Sequence, residues 1–370
     1  MINGPLTLFT FGSAFFISYG LTLVVRDWAI QLGWLSLPGG RNVHDQPTPR
    51  VGGLAMYIAF STVIITALLS DPVFGREFGQ PFRGLMLAST LIVGVGLFDD
   101  LKGLKPSWKL CVQVLAAVLL FAYGLRVKTM TNLFTGTEIN IPLAVSFVLT
   151  VFWVVGLINA MNLIDGLDGL AASITVVVCG SLFFVSLFLR NYANIFLLAS
   201  LAGTALGFFV HNRHPAKIFM GDSGSMFIGL VLASTALMGS QHKSSMVTAM
   251  LIPFTALAIP ISDTVLAIWR RLRGQRPIFR ADKRHLHHRL LDMGLTQNQI
   301  VAVACMITLY LGMLGFLFVL IPNNYALILL ALLALGLYMA IRLMGFVERK
   351  IKLVYRLQAK HDKRKMFEHG

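Results

Sequence analysis

The chain has 370 residues, of which 56% are hydrophobic and only 13% are charged, and its mean hydropathy is +0.75. Soluble globular proteins carry about 25% charged residues, so this composition excludes a disordered chain and argues against a cytosolic enzyme. The net charge of +15 does not require a nucleic-acid partner if the basic residues lie at one membrane surface. The sequence therefore predicts an all-α integral membrane protein.

A membrane-spanning helix needs roughly 20 largely apolar residues. The first apolar run is predicted to be a retained helix rather than a signal peptide, because it lacks a basic leader and a small-residue cleavage site. We expect residues 1–345 to form a single polytopic domain and residues 346–370 to form a basic cytoplasmic tail. The eleven predicted spans are 6–25, 51–70, 84–98, 107–124, 142–163, 169–189, 192–211, 223–240, 245–269, 298–321 and 325–345.

The distribution of basic residues predicts the orientation of these spans. With eleven helices, 25 of the 31 Lys and Arg residues fall on the side that carries the C-terminal tail. Cytoplasmic loops carry the excess of Lys and Arg, so the N-terminus is predicted outside and the C-terminus in the cytoplasm. On the outer side, the alternating residues and Thr135-Gly136 of the 125–141 connection predict a small hairpin.

Most acidic residues fall near the predicted cytoplasmic ends of the apolar runs, where a carboxylate is costly without a partner. Asp99 and Asp100 end the third run, and two adjacent carboxylates repel each other unless a cation or a proton compensates. A solvated loop neutralised by Lys102 and Lys105 is the alternative interpretation of this pair.

The fifth run ends in a second polar group. Asn159, Asn162 and Asp165 are spaced i, i+3, i+6, so they can share one face of a helix end. With Asp168 they supply four side chains bearing oxygen donors, a set that suits a hard cation such as magnesium. A helix cap would need one of these residues and not four.

A third group precedes the eighth run, where Gly221 and Gly224 flank Asp222 and Ser223. Asp222 or Ser223 can simply cap the following helix. The same geometry presents free N–H groups and a metal-binding carboxylate to a phosphate, so both interpretations stay open. Upstream lie candidate substrate-binding residues, namely Asn212 for an amide edge, Lys217 for a positive charge and Phe219 for a stacking ring.

The connection after the ninth run is strongly basic and contains His285, His287 and His288 beside Arg284. A membrane-surface patch explains the basicity but not three histidines within four residues. Zinc is an alternative without a cysteine to support it, whereas imidazoles among guanidinium groups suit a polyphosphate. In the first connection, His44 and Arg50 form a smaller basic group that can meet a lipid headgroup or a nucleotide, but the signal is weak.

These segments together resemble a known family, the polyprenyl-phosphate N-acetylhexosamine-1-phosphate transferases. The histidine motif is similar to that of the WecA/TagO-like branch and differs from the muramoyl-pentapeptide branch. One position departs from the family, because Gly103 stands where relatives often carry the third acid of Asp-Asp-x-x-Asp. The residues that carry the resemblance are the Asp99-Asp100 pair, RNVHDQPTPRVGG, NAMNLIDGLDGL, KIFMGDSGS and DKRHLHHRLLDMGL.

The resemblance implies eleven helices, a cytoplasmic cleft and a set of residue roles. Asp222 is the implied magnesium ligand, with Asn162 beside it. Asp99 and Asp100 are implied near the lipid phosphate, where they would either assist its deprotonation or support the metal site. The remaining implied contacts are Asp165 and Asp168 on the nucleotide side, Asn212 and Phe219 at uracil, and His285, His287 and His288 at the diphosphate. Asn159 is a further candidate substrate-binding residue.

The resemblance also implies an activity in the bacterial inner membrane. The chain would transfer sugar 1-phosphate from a UDP-N-acetylhexosamine, with UDP-GlcNAc the commonest donor, to undecaprenyl phosphate and release UMP. Magnesium is the expected cofactor, with manganese as an alternative, and the product would enter a cell-envelope glycan such as lipopolysaccharide or teichoic acid. Membrane lipids are expected partners, and a homodimer stays open. The competing classes are a transporter of anions or divalent metals, with Asp263 as a pathway residue, and an inert scaffold.

Overall fold

The structure, a computed structural model, describes residues 4–36, 47–70, 72–131, 138–239, 257–258, 261–262, 264, 290–291, 293–320, 325, 328, 331 and 335. Within them the chain is mostly helical. The helices are α1 (Gly4–Gln31), α2 (Gly52–Ser70), α3 (Pro72–Lys102), α4 (Pro106–Ala122), α5 (Leu143–Ile164), α6 (Leu170–Phe188), α7 (Tyr192–Asn212), α8 (Gly221–Gly239) and α9 (Gln297–Leu320). The strands are β1 (Leu35–Ser36), β2 (Thr48–Pro49), β3 (Thr129–Thr131) and β4 (Glu138–Asn140).

Helices occupy nine of the eleven predicted runs, and eight helices in the described part of the chain are long and apolar enough to cross a membrane. The prediction of a mostly helical membrane protein is thus confirmed. The runs at 245–269 and 325–345 lie largely outside the described residues, so the count of eleven and the N-out orientation stay predictions. The shorter apolar helix α4 spans 17 residues.

The largest difference from the predicted spans is at α3. The run at 84–98 is part of a helix of 31 residues, about 46 Å long at 1.5 Å per residue. The apolar run begins late because the first turns of α3 carry Arg76, Glu77 and Arg83, while the backbone is already helical. A helix of this length exceeds the roughly 30 Å hydrocarbon core of a bilayer.

Helix α8 is the centre of the bundle. All residues of its apolar window, Gly221–Met238, are buried, whereas the corresponding window of α1 is 28% buried. Helices α3 and α5 pack directly on α8. The close approach of α8 to α3 requires a glycine at position 96 of α3, because a Cβ on Gly96 would lie 2.5 Å from the Cα of Ser223. Outer helices instead direct large apolar side chains outward, such as Phe9, Phe152 and Phe184, as expected for contact with lipid.

Helix ends that are distant in sequence meet at one end of the bundle. The last turn of α3 hydrogen-bonds to the first turn of α8 through Asp100, and Asn162 near the end of α5 reaches the same turn. Asn212, which ends α7, bonds to Gly169 at the start of α6. We call the end of the bundle that holds these residues the site end.

Two short hairpins complete the described fold. β3 pairs antiparallel with β4, with Met130 opposite Ile139, which confirms the hairpin predicted within 125–141. β1 pairs antiparallel with β2, with Ser36 opposite Thr48, and this pairing was not predicted. It joins the chain after α1 to the segment just before α2, and so fixes the approach to Arg50.

Candidate active site

Asp222, in the first turn of α8, is the centre of the candidate site. Its side chain is only 7% exposed, yet two cations reach it. Arg50 Nη2 lies 2.9 Å from Oδ1, and Lys109 Nζ lies 2.7 Å from Oδ2. Asn162 Nδ2 donates to Oδ2 at 3.3 Å. The predicted metal residues Asp222 and Asn162 are therefore neighbours, although 60 positions apart.

Asp100 caps the start of α8. Its Oδ1 accepts the backbone N–H of Asp222 at 2.7 Å, and its Oδ2 accepts the N–H and the hydroxyl of Ser223 at 3.0 and 2.8 Å. A helix leaves its first N–H groups without partners inside the helix, and here a carboxylate from α3 satisfies them. The alternative in which Asp222 or Ser223 caps its own helix is thus replaced by a cap from another helix. At Gly221, a Cβ would lie 2.4 Å from Asp100 Oδ2.

Asp99 turns away from Asp100 and takes different partners. Its Oδ2 lies 3.0 Å from Lys109 Nζ, and its Oδ1 accepts the backbone N–H of Leu104. Lys102 Nζ instead lies over the Phe98 ring, 5.3 Å from its centroid. The suggestion that Lys102 and Lys105 neutralise the pair was therefore wrong about the cations, because the ion pairs run to Lys109 and Arg50.

Backbone pairing holds Arg50 at the site. Phe219 N–H donates to Pro49 C=O at 2.8 Å, and the N–H groups of Gly52 and Gly53 donate to Phe219 and Met220 carbonyls. Arg50, between these contacts, reaches both Asp222 and Asp100, the latter at 3.5 Å.

The electrostatic surroundings of Arg50 stabilise its charged form. Partial burial lowers the pKa of its guanidinium, but the Asp222 and Asp100 carboxylates outweigh that effect, so the net pKa is raised. Arg50, for which the sequence signal was weak, therefore lies at the centre of the candidate site.

The polar residues near the C-terminal end of α5 have two different sets of partners. Asn162 belongs to the site, where its Oδ1 also accepts the Ser225 hydroxyl at 2.9 Å. Asn159, one turn earlier, donates to Gln113 Oε1 at 2.7 Å and to the Val155 carbonyl. Asn159 thus joins α5 to α4, and its predicted contact with substrate stays a prediction.

Asp165 directly follows α5 and is partly exposed as a residue. Desolvation of its carboxyl raises its pKa to about 7; Arg50 acts in the opposite direction, and the carboxylates of Asp222 and Asp100 add to the rise. Asp165 therefore lies within the electrostatic reach of the Asp222 cluster, on the side predicted to face the nucleotide.

Asp168 forms a second cluster with the connection between α7 and α8. Its Oδ2 lies 2.7 Å from His214 Nδ1 and accepts the backbone N–H of Ala216 at 3.1 Å. The next residue, Gly169, donates its N–H to Asn212 Oδ1 at 3.1 Å. Asp168 therefore ties two connections together at the site end, whatever further contact it makes with a substrate.

The predicted uracil residues differ in exposure. Asn212 is 3% exposed, and its amide also donates to the Ile218 carbonyl, so both ends of the amide bond within the protein. Phe219 is half-buried and Lys217 is exposed. Their contacts with a substrate stay predictions, and for Asn212 the structure indicates a role in fixing the loop. Outside the described residues lie His44, Asp263, Arg284, His285, His287 and His288.

Lys109 and Gln113 contact the site residues, but the sequence did not predict either of them. A signal existed for Lys109, because it is a lone charge near the start of an otherwise apolar run, and an ionisable residue in such a run points to function. Pro106 begins α4 and sets the turn on which Lys109 lies. For Gln113 the sequence offers no comparable signal.

The donor set around Asp222 fits magnesium. In the described part of the chain, no three His, Cys, Asp or Glu side chains form a metal-binding group. Magnesium needs only one or two carboxylates when substrate phosphates and water complete its shell. A cation position already exists between Asp99 and Asp222, where the Lys109 ammonium lies, and the Asn162 amide lies beside Asp222.

Comparison with known proteins agrees with this arrangement. A family model described as Glycosyl transferase family 4 matches residues 82–240, which hold Asp99, Asp100, Asn162 and Asp222. The match therefore includes the helix ends that converge on Asp222.

Relatives matched over most of their length extend the likeness beyond that segment. A probable undecaprenyl-phosphate N-acetylglucosaminyl 1-phosphate transferase of Bacillus subtilis is 34% identical over 78% of this chain and 78% of its own. A decaprenyl-phosphate N-acetylglucosaminephosphotransferase of Mycolicibacterium smegmatis is 39% identical over 82% and 79%. An undecaprenyl-phosphate alpha-N-acetylglucosaminyl 1-phosphate transferase of Yersinia pestis is 30% identical over 87% and 88%. The chain therefore belongs to the polyprenyl-phosphate N-acetylhexosamine-1-phosphate transferase family, in its WecA/TagO-like branch.

Proposed function

We propose that the chain transfers N-acetylglucosamine 1-phosphate from UDP-GlcNAc to undecaprenyl phosphate and releases UMP. The observation that carries this proposal is the convergence of Asp99, Asn162 and Asp222 with two cations at one end of a membrane bundle. Phosphoryl transfer depends on positioning and charge neutralisation more than on a special nucleophile. These carboxylate, amide and cationic side chains are therefore sufficient for the reaction. The Bacillus and Mycolicibacterium relatives are named for N-acetylglucosamine 1-phosphate transfer to undecaprenyl and decaprenyl phosphate, which supports a reaction of this class.

The proposed cofactor is magnesium, with manganese able to replace it. Asp222 would hold the ion, with Asn162 beside it and Asp99 on the far side of the Lys109 ammonium. A bound magnesium ion would offset the negative charge of the donor diphosphate. The site itself supports this, because in the described part of the chain the three carboxylates of Asp99, Asp100 and Asp222 form ion pairs with two cations, Arg50 and Lys109, which leaves a net negative charge.

The proposed step is a direct displacement. An oxygen of the lipid phosphate attacks the sugar-linked phosphorus, and the bond from that phosphorus to the UMP oxygen breaks, so UMP leaves with the electron pair. A phosphate monoester has a second pKa near 6 and is mostly dianionic at neutral pH, so no strong general base is required. The protein's task is to bring two anions together, and Arg50 is placed to reduce their repulsion.

A covalent route through Asp99 or Asp100 is the rival mechanism. Both oxygens of Asp100 accept hydrogen bonds from the first turn of α8, and both oxygens of Asp99 accept from Lys109 or Leu104. Carboxylates held in this way are poor nucleophiles because attack would break the bonds that place them. The contacts support direct displacement and a supporting role for the pair.

We further propose that the site end faces the cytoplasm, where UDP-sugars are found, in a bacterial inner membrane. The excess of Lys and Arg on the connections of that side supports this orientation. The transporter alternative lacks support, since transporters place polar groups near the bilayer midplane, whereas Asp100, Asn162 and Asp222 gather at helix ends.

The proposal is tested by UMP release from proteoliposomes that contain undecaprenyl phosphate, supplied with UDP-GlcNAc, UDP-GalNAc or UDP-glucose in turn. We expect release with UDP-GlcNAc that requires both the lipid and magnesium. Absence of release with every donor, from protein that is folded in the membrane, would contradict the proposal. Release with UDP-GalNAc alone would keep the reaction and change the sugar.

A further inference from the structure

Lys109 occupies an unusual position for a lysine near the start of an apolar helix. Its ammonium lies 2.7 Å from Asp222 Oδ2 and 3.0 Å from Asp99 Oδ2, and its side chain is 21% exposed. It therefore bridges α3 and α8 from a third helix, α4. The oxygen it binds on Asp222 is the one that Asn162 also approaches, at 3.3 Å.

The two oxygens of Asp222 are thus both engaged by cations. Arg50 binds Oδ1 and Lys109 binds Oδ2. A divalent cation that bound Asp222 on the Asn162 side would need the oxygen that Lys109 holds. An ammonium and a divalent ion cannot both lie against that oxygen without strong repulsion in a partly buried site.

Resting on the proposed function, we propose that Lys109 is a displaceable counter-ion. It neutralises Asp99 and Asp222 before the divalent ion binds, gives up Asp222 when the ion arrives, and then directs its ammonium at the donor phosphates. Lysine suits this exchange because its ammonium is a compact charge on a flexible four-carbon stem, unlike the planar guanidinium of Arg50.

Charge at the site gives the physical reason for such an exchange. Without Lys109, Asp100 and Asp222 would share Arg50 as their cation among these contacts, and Asp99 would lose its ion pair. Uncompensated carboxylates in a partly buried site raise the free energy of the folded protein. A lysine that exchanges with the ion keeps the local charge balanced both before and after the ion binds.

A fixed salt bridge is the competing interpretation, and metal affinity separates the two. The experiment measures Mn²⁺ binding by electron paramagnetic resonance in nanodiscs, without donor or lipid substrate. If Lys109 competes with the ion, Lys109→Gln should bind Mn²⁺ about tenfold more tightly, a change equivalent to about 1.4 kcal/mol. Lys109→Arg keeps the charge on a less easily displaced guanidinium, so it should bind Mn²⁺ no more tightly than the wild type.

Lys102→Gln is the matched control, because Lys102 lies in the same region but contacts the Phe98 ring. It should leave Mn²⁺ affinity within about twofold of the wild type, whereas a general effect of lost positive charge would tighten it as much as Lys109→Gln does. Unchanged or weaker Mn²⁺ binding by Lys109→Gln, or equal tightening in the control, would overturn the proposal.

Two further measurements keep the inference separate from the proposed function. Mn²⁺ should raise the Tm of Lys109→Gln more than that of the wild type, because tighter binding to the folded state stabilises it more. UMP release by Lys109→Gln should fall although its metal affinity rises. If the wild type releases no UMP but the metal affinities shift as stated, the proposed reaction fails and the counter-ion role survives.

Discussion

Asp100 and Asp222 are 122 positions apart, yet the Asp100 carboxylate accepts the Asp222 backbone N–H at 2.7 Å and the Asp222 carboxylate turns toward Arg50 and Lys109. One carboxylate thus holds the helix that presents the other. Asp100 is therefore a positioning residue, whereas Asp222 is the candidate metal ligand.

The capping role predicts different results for two substitutions of Asp100. Asp100→Ala removes the acceptor for two N–H groups, and loss of an N-cap costs about 0.5–2 kcal/mol, so the Tm should fall by several degrees. Asp100→Asn keeps one acceptor oxygen and should retain more of the Tm and part of the UMP release. Thermal unfolding in detergent and UMP release measure the two effects.

Asp27→Ala is the control for this pair, because Asp27 forms an exposed ion pair with Arg26. Such surface pairs contribute about 0–1 kcal/mol, so its Tm should change little. Should Asp100→Asn prove as inactive as Asp100→Ala while keeping the wild-type Tm, Asp100 would act in the chemistry and not as a cap.

The close approach of α3 and α8 gives a second prediction. Gly96→Ala would place a Cβ 2.5 Å from the Cα of Ser223, so α8 must move and the bonds to Asp100 must weaken. Overpacking of this kind costs about 1–3 kcal/mol, and both the Tm and UMP release should fall. Gly94→Ala is the matched control, because no atom lies within 4 Å of a Cβ there. Equal losses in both variants would show that the contact does not matter.

Much of this architecture is predictable from the sequence, and the reasons are physical. Apolar runs identify the helices because a bilayer imposes their length, and the acids mark the helix ends because charge is costly deeper in the membrane. The pairing of Asp222 with Asn162 was expected from the resemblance to the family, not from spacing. The sequence did not predict the other contacts between distant helices, which involve Lys109, Gln113 and the cap by Asp100, because those contacts depend on which helices pack together.

Asp165 predicts a pH dependence of stability. Its pKa is raised from 3.8 to about 7 in the folded protein, so the folded state binds this proton more tightly than the unfolded state. Its contribution to stability is therefore greatest below pH 4, falls as the pH rises to about 7, and is constant above that. Asp165→Asn removes this pH-dependent loss of stability. In EDTA, the Tm of the variant minus that of the wild type should therefore increase from pH 5 to pH 8. A Tm difference that does not vary with pH would contradict the raised pKa.

Direct displacement predicts that the enzyme is not labelled by donor alone. With UDP-GlcNAc labelled in its sugar-linked phosphate and no lipid acceptor, we expect no radioactive protein and no burst of UMP, because the oxygens of Asp99 and Asp100 are held by hydrogen bonds. Addition of undecaprenyl phosphate should start UMP release. A labelled protein that is discharged by the lipid would establish the covalent route instead.

Magnesium-dependent UMP release by Asp222→Asn, in proteoliposomes that contain undecaprenyl phosphate and UDP-GlcNAc, tests the central claim most directly. The claim is that helix ends converge on Asp222 to hold an ion and a diphosphate beside the lipid acceptor. We predict a loss of roughly 100-fold or more, the scale of removing one preorganised electrostatic group, with membrane insertion unchanged and Asp27→Asn fully active. Turnover by Asp222→Asn close to that of the wild type would contradict the account.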